Sequence, residues 1–137
     1  MTDSPVTDRP RLDDTARCPC LSGTTYGECC APFHRGDALA PTAERLMRSR
    51  YSAYATGDDD YLLATWHPST RPRSLDLDDR QRWYLLEIVG TSRGGMLDTE
   101  GTVEFVARYR WSGGAGEQHE NSRFVRERRR WYYVDAL

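Results

Sequence analysis

A chain of 137 residues has room for one compact domain of about 100 to 110 residues and a small appendage. With 38% hydrophobic and 29% charged residues it carries enough apolar matter for a core but no run that crosses a membrane. A formal net charge of −2 supplies no global attraction to nucleic acid, so nucleic-acid and membrane partners are set aside.

Residues 1–16 contain Pro5 and Pro10, mixed charge and little that is apolar, the composition of a disordered leader. They have neither the basic start nor the apolar core of an export signal, which places the protein in the cytoplasm. Every cysteine then falls within thirteen residues: Cys18, Cys20, Cys29 and Cys30. Two thiol pairs joined by a short turn are the pattern of one tetrahedral Zn²⁺ site. Ser22-Gly23-Thr24-Thr25 supplies the turn, with Gly23 free to take a positive φ. Disulfides would need an oxidising compartment, and a redox pair would show Cys-x-x-Cys beside a βαβ pattern. Zinc is preferred to an iron–sulfur cluster because an exposed knuckle over residues 17–35 would shield a cluster poorly. His34, four residues on, is the rival fourth ligand, but four cysteines already complete a tetrahedron.

Residues 36–41 read as a connector. Ala43, Leu46, Met47, Tyr51, Tyr54 and Ala55 recur at helical spacing, with Thr42 as cap and Gly57 as stop. Asp58, Asp59 and Asp60 suit the N-terminus of a second helix, which carries Tyr61, Leu62 and Trp66 inward as far as Pro68. Helix capping explains the three acids, since no calcium-loop pattern follows them. Beyond Pro72 the period changes. Residues 83–89 form a buried strand ending near Gly94 and Gly95, and residues 102–111 alternate with Val103, Phe105, Ala107, Tyr109 and Trp111 on one face. Residues 113–116 are a hairpin loop, residues 117–127 return, and residues 131–135 close the sheet. All nineteen basic residues are arginine, and their densest run, residues 126–130, falls on a second hairpin turn, where a solvated loop is the default. Helices followed by antiparallel strands make an α+β layer.

The aromatic and ionisable residues available to a cavity are Trp66, His67, Arg71, Trp83, Glu104, Arg108, His119, Glu120 and Arg123. His67 and His119 are the candidate general bases. His119 shares a strand face with Asn121 and Arg123 while Glu120 points oppositely, so a carboxylate partner must come from a neighbouring strand. Cross-strand ion pairing accounts for Glu104, Arg108 and Arg123 without any ligand.

The run Cys18-Pro19-Cys20, Ser22-Gly23, Tyr26 and Cys29-Cys30 resembles the SEC-C motif, the zinc-binding tail of the translocase motor SecA. Residues 31–34, 42–51, 65–72 and 131–135 resemble the remainder of a YchJ-like protein, so the likeness runs from about Arg17 to the end. This resemblance implies a zinc cofactor held by Cys18, Cys20, Cys29 and Cys30, and a cystatin-like cone over residues 36–137, shared with nuclear transport factor 2 and SnoaL-like cyclases, its helices packed on a curved sheet. The usual motif has Gly where this chain has Leu21, and basic residues where it has Thr24, Thr25, Gly27 and Glu28. Recognition of a partner through lysines on the knuckle is therefore not expected. The function expected is that of an adaptor or ligand-binding module, engaging a protein through the knuckle or a small molecule in the cone. A SnoaL-like or isomerase-type enzyme, and a purely structural knuckle closing the mouth of the cone, are the alternatives.

Overall fold

The computed structural model describes residues 12–78 and 80–137. The leader expected over residues 1–16 lies outside the described residues as far as 11. From Leu12 onward the chain is already part of the knuckle. Leu12 packs on the core, Tyr26 N donates to Ala16 O at 2.8 Å, and Gly27 N donates to Asp14 O at 2.9 Å. A Cβ on Gly27 would lie 2.8 Å from Asp14 Cβ, so a side chain cannot stand at this position without moving the segment. That is a packing reason for one of the departures from the basic motif.

The knuckle ends in a 3-10 turn, Tyr26–Glu28, and a single helical turn, α1, Ala31–His34. Helix α2, Ala43–Thr56, starts where Thr42 Oγ1 accepts from Arg45 N at 3.1 Å and stops at Gly57 with φ 75°. Helix α3, Asp59–Ala64, is capped by Asp58, whose carboxylate accepts from Tyr61 N. Its expected continuation to Pro68 does not occur. Trp66 instead bridges to Tyr133, with His67 N donating to Tyr133 O at 2.8 Å and Tyr133 N to Thr65 O at 2.9 Å. Pairing with the sheet edge outbids the last helical turn.

Four strands follow in simple antiparallel order: β1 Arg82–Arg93, β2 Glu100–Trp111, β3 Gly114–Glu127 and β4 Arg130–Ala136. Irregularities between Trp83 and Leu85 and between Ile88 and Gly90 turn Tyr84 and Val89 outward, which is why β1 lacks clean alternation. The β2–β3 turn is tighter than expected. Trp111 pairs with Gly114, so Ser112 and Gly113 alone make the loop and the glycines at 114 and 116 belong to the strand. The β3–β4 turn places Arg128 and Arg129 at φ 53° and 69°, the two-residue geometry that suits Asn-Gly.

One buried cluster runs from the knuckle through α2 to the sheet. Cys18, Cys30, Phe33, Leu46, Met47, Val103, Phe124 and Trp131 belong to it. Helix α2 is its middle layer. Met47, Arg50, Tyr51 and Tyr54 face the sheet across a cavity, while Arg48, Ser49 and Ser52 face the knuckle. At 3.6 residues per turn these two sets lie on opposite sides of the helix. A knuckle closing the mouth of the cone is therefore not what the fold builds; the knuckle backs the helix from the other side.

Candidate functional site

The four cysteine sulfurs all lie within 4.8 Å of one another. Cys20 Sγ is 3.6 Å from Cys29 Sγ, and Cys29 Sγ is 3.8 Å from Cys30 Sγ. Four sulfurs at ~2.3 Å from one tetrahedral ion stand ~3.8 Å apart, so the quartet has the dimensions of a single-ion site. These are not disulfide separations, which are about 2 Å. Cys18 and Cys20 are fully buried. The exposed knuckle expected from sequence is thus wrong about the sulfurs, which face the core while the turn around them faces water.

Local geometry brings the pairs together. Leu21 N donates to Cys18 O and Cys18 N to Thr24 O, both at 3.0 Å, folding the first pair over the turn. Gly23 takes φ 99°, as its place in the turn requires, but Leu21 also lies in the left-handed region at φ 62°. Its side chain is 43% exposed and gains little from packing. Leu21→Gly is expected to raise stability by about 1 kcal/mol by removing this strain. Chemical denaturation of the metal-loaded protein checks it, and an unchanged midpoint would show the turn to be relaxed.

Hydroxyls and a cation surround the sulfurs. Ser52 Oγ lies 3.3 Å from Cys30 Sγ and 3.6 Å from Cys18 Sγ, Ser22 Oγ lies 3.1 Å from Cys29 Sγ, and Arg48 Nη1 donates to Cys20 O at 2.9 Å. The thiols polarise one another strongly. Accepting hydrogen bonds from Cys18 and Cys30 holds Cys20 far below the usual thiol range, and the same contacts push Cys18 up to about 11 and Cys30 higher still. Four thiolates so close can coexist only around a cation.

His34 does not join them. Its Nε2 is 2.8 Å from Ser49 O, which can only accept, so this nitrogen carries the proton. Nδ1 then accepts from Tyr26 Oη at 2.6 Å. Both nitrogens are spent, and the ring is wedged against Tyr26 and Tyr61. Burial lowers the His34 pKa from its ordinary value and pushes the Tyr26 phenol up to about 12. The folded state therefore resists protonation more than the unfolded chain does. Stability is at its plateau above the unfolded value near 6.5 and is lost as pH falls through that value towards the folded one. His34→Gln keeps a donor and an acceptor without titrating, so its melting temperature is expected to fall less than wild type's between pH 7 and pH 5. Parallel curves would show that His34 contributes nothing to the acid sensitivity.

The second feature is a cavity of about 270 Å³ between α2 and the sheet. Trp66 and Trp83 line it, as sequence suggested. Glu104, Arg108, His119 and Arg123 do not: they stand on the outer face of the sheet. There Glu104 Oε2 meets His119 Nε2 at 2.7 Å, Arg108 pairs with Glu117 at 3.2 Å, and Arg123 pairs with Asp135 at 3.1 Å. The neighbouring-strand carboxylate that His119 needed exists, but on the face turned away from the cavity. Arg71 is exposed and donates through Nε to Trp66 O. His67 sits between Ser69 Oγ at 2.7 Å and Glu127 Oε2 at 3.0 Å, pinning the end of β3, and does not line the cavity. Arg50 was missed. It lies on the helix among apolar neighbours, and only the tertiary fold reveals that its guanidinium is buried in the cavity wall. Glu120, considered among the cavity candidates, does face inward.

Comparison with known proteins shows the family and the fold. The model for the middle, nuclear transport factor 2-like domain of YchJ matches residues 42–136, and the SEC-C motif matches residues 15–32. The chain belongs to the YchJ-like family. A UPF0225 protein of Streptomyces coelicolor is 53% identical over 122 residues, covering 89% of this chain and 95% of its own. One from Chromobacterium violaceum is 54% identical over 126 residues, covering 89% and 93%. The solution structure of a SEC-C motif containing protein from Rhodopseudomonas palustris superimposes with TM-score 0.76 at 38% identity, covering 88% of this chain and 96% of that one. A crystal structure of a SEC-C motif containing protein from Psychrobacter arcticus gives TM-score 0.76 at 29% identity, covering 91% and 84%. YchJ-like membership and the α+β architecture thus stand together. No helix among the described residues is long and apolar enough to cross a membrane.

Proposed function

We propose that this YchJ-like chain is a cytoplasmic zinc protein that works as a binding module. Cys18, Cys20, Cys29 and Cys30 hold one Zn²⁺ as thiolates, the ion fastens residues 12–35 to the outer side of α2, and the cavity on the inner side takes a small molecule. The observation that carries this is the spacing of the four buried sulfurs. Their compactness leaves room for one ion and none for a cluster with bridging sulfides of its own. Four soft ligands in tetrahedral array favour Zn²⁺ among common divalent ions. A reducing compartment keeps such thiols available as ligands.

The binding-module reading is favoured over an enzyme because His67 and His119, the candidate general bases, both stand away from the cavity. Glu120, the carboxylate among the described residues that line it, is engaged by Gln118, Ser122 and Tyr133. An adaptor role through the knuckle is weakened by the absence of the basic residues at 24, 25, 27 and 28. Native mass spectrometry of freshly purified protein tests the proposal. One zinc per chain is expected, and metal-free protein with four alkylatable thiols would overturn it.

A further inference from the structure

The polar groups of the cavity are unevenly satisfied, and the imbalance has a chemical sign. Glu120 is well supplied with donors: Ser122 Oγ donates to Oε2 at 2.6 Å, Tyr133 Oη to the same oxygen at 3.1 Å, and Gln118 Nε2 to Oε1 at 2.8 Å, which fills both sites of Oε2 and one of Oε1. The donors opposite are not used up. Trp66 Nε1 is buried with no hydrogen-bond partner, and an indole N–H can only donate. Arg50, 5% exposed, spends Nη1 on Leu62 O and Thr65 Oγ1, and its other N–H groups make no hydrogen bond among the described residues. Nor is it in any ion pair found there; its charge rests on the faces of Trp66 and Tyr133, at 5.1 and 4.7 Å. Glu120, across the same cavity, is the nearest balancing charge, but its oxygens go to Ser122, Tyr133 and Gln118, so the free N–H groups of Arg50 and the idle indole N–H still face the cavity without an acceptor.

The rest of the cavity is aromatic. Tyr51, 3% exposed, Tyr54, Trp83 and Phe105 belong to its lining, with Tyr51 and Tyr54 rings 6.1 and 6.3 Å from Trp83. The Tyr51 hydroxyl is a second buried polar atom of the lining without a hydrogen-bond partner. A cavity of about 150 Å³ is enough for benzene, so 270 Å³ admits one ring with a short polar head and excludes a large fused system.

We propose that the cavity binds a small aromatic monocarboxylate, its carboxylate on Trp66 Nε1 and the free edge of Arg50 and its ring among Tyr51, Tyr54, Trp83 and Phe105. This rests on the reading of the cavity as a binding site and gives that site its ligand class. Unused donors select the ligand: an amine head would meet Arg50 with like charge and leave the indole N–H unpaired, whereas a carboxylate uses both and meets like charge only at Glu120, whose oxygens are already hydrogen-bonded. Ordered water is the competing occupant, since water also offers acceptors.

The test uses full-length protein whose zinc content has been measured, titrated with benzoate, phenylacetate and benzylamine by tryptophan fluorescence and calorimetry. Saturable binding of one of the carboxylates, with benzylamine inert, is expected. Trp66→Phe keeps the ring and loses the donor, and should weaken carboxylate binding about tenfold or more, since hydrogen bonds to charged groups are the strong ones. Glu120→Gln removes the facing charge and should leave carboxylate binding equal or tighter; an amine site would lose affinity instead. Zinc-replete wild type that binds none of the probes overturns the carboxylate class while leaving the metal site standing. Preference for benzylamine overturns the class but keeps the cavity as a binding site. Binding of a carboxylate unaffected by Trp66→Phe, in a variant that retains its zinc and its melting temperature, also overturns it.

Discussion

Removing the metal with a chelator is expected to lower the melting temperature by roughly 10 °C or more and to release the knuckle from α2. The size of the effect follows from where the sulfurs are. In a separate appendage, metal loss would unfold the appendage and leave the domain intact. Here Cys18 and Cys30 belong to the same buried cluster as Leu46, Met47 and Trp131. Ser52 Oγ and the Arg48 guanidinium reach from α2 to the cysteines, and His34 reaches from the knuckle to Ser49 O. Without an ion, four buried thiols are left with mutual repulsion when ionised and poor hydrogen bonding when not. Structural zinc contributes about 10 to 16 kcal/mol in zinc-finger peptides, so even a fraction of that coupling is large against the ~5 to 15 kcal/mol of a whole domain. Cys30→Ala should reproduce the loss without chelator. A chelated protein that melts where the loaded one does, with residues 12–35 still protected from proteolysis, would show that packing alone holds the knuckle.

Gly101→Ala should cost about 3 kcal/mol or more, the second large effect. A Cβ there would lie 2.4 Å from Gly94 Cα and 2.5 Å from Gly94 N, and backbone cannot swing aside as a side chain can. The close approach matters because Gly94 O accepts from Ala43 N at 2.9 Å, tying the first residue of α2 to the β1–β2 hairpin. Pushing the strands apart therefore disturbs the helix that separates the cysteine cluster from the cavity. Gly90→Ala is the control, since a Cβ at that position meets nothing within 4 Å. Equal denaturation midpoints for the two variants would show the hairpin to be pliable.

Much of this architecture was legible in the sequence because local chemistry and tertiary structure agree. Thr42 and Gly57 mark α2 correctly since capping and left-handed geometry are properties of single residues. The alternation of Val103, Phe105 and Ala107 survives as the buried face of β2. The cysteine quartet was visible because nothing else brings four thiols into thirteen residues. The misreadings share one cause, that strand register and long-range packing have no local signature. Helix α3 stops early because a strand 60-odd positions away competes for Thr65 and His67. Glu104, Arg108, His119 and Arg123 have the residue types of a site, and the pleat alone decides that they face outward. Arg50 looks like any surface arginine on an amphipathic helix until Trp66 and Tyr133 close over it. The burial of the sulfurs was hidden for the same reason: it depends on α2 presenting Ser49 and Ser52, small residues that let the knuckle approach.

X-ray absorption spectroscopy at the metal edge of protein isolated without added metal tests the central claim most directly. The account predicts a zinc edge with a single shell of four sulfur atoms at about 2.3 Å. A nitrogen scatterer in the shell would bring His34 in and dismantle its bonds to Tyr26 and Ser49; a zinc-free sample with four reactive thiols would contradict the metal centre itself.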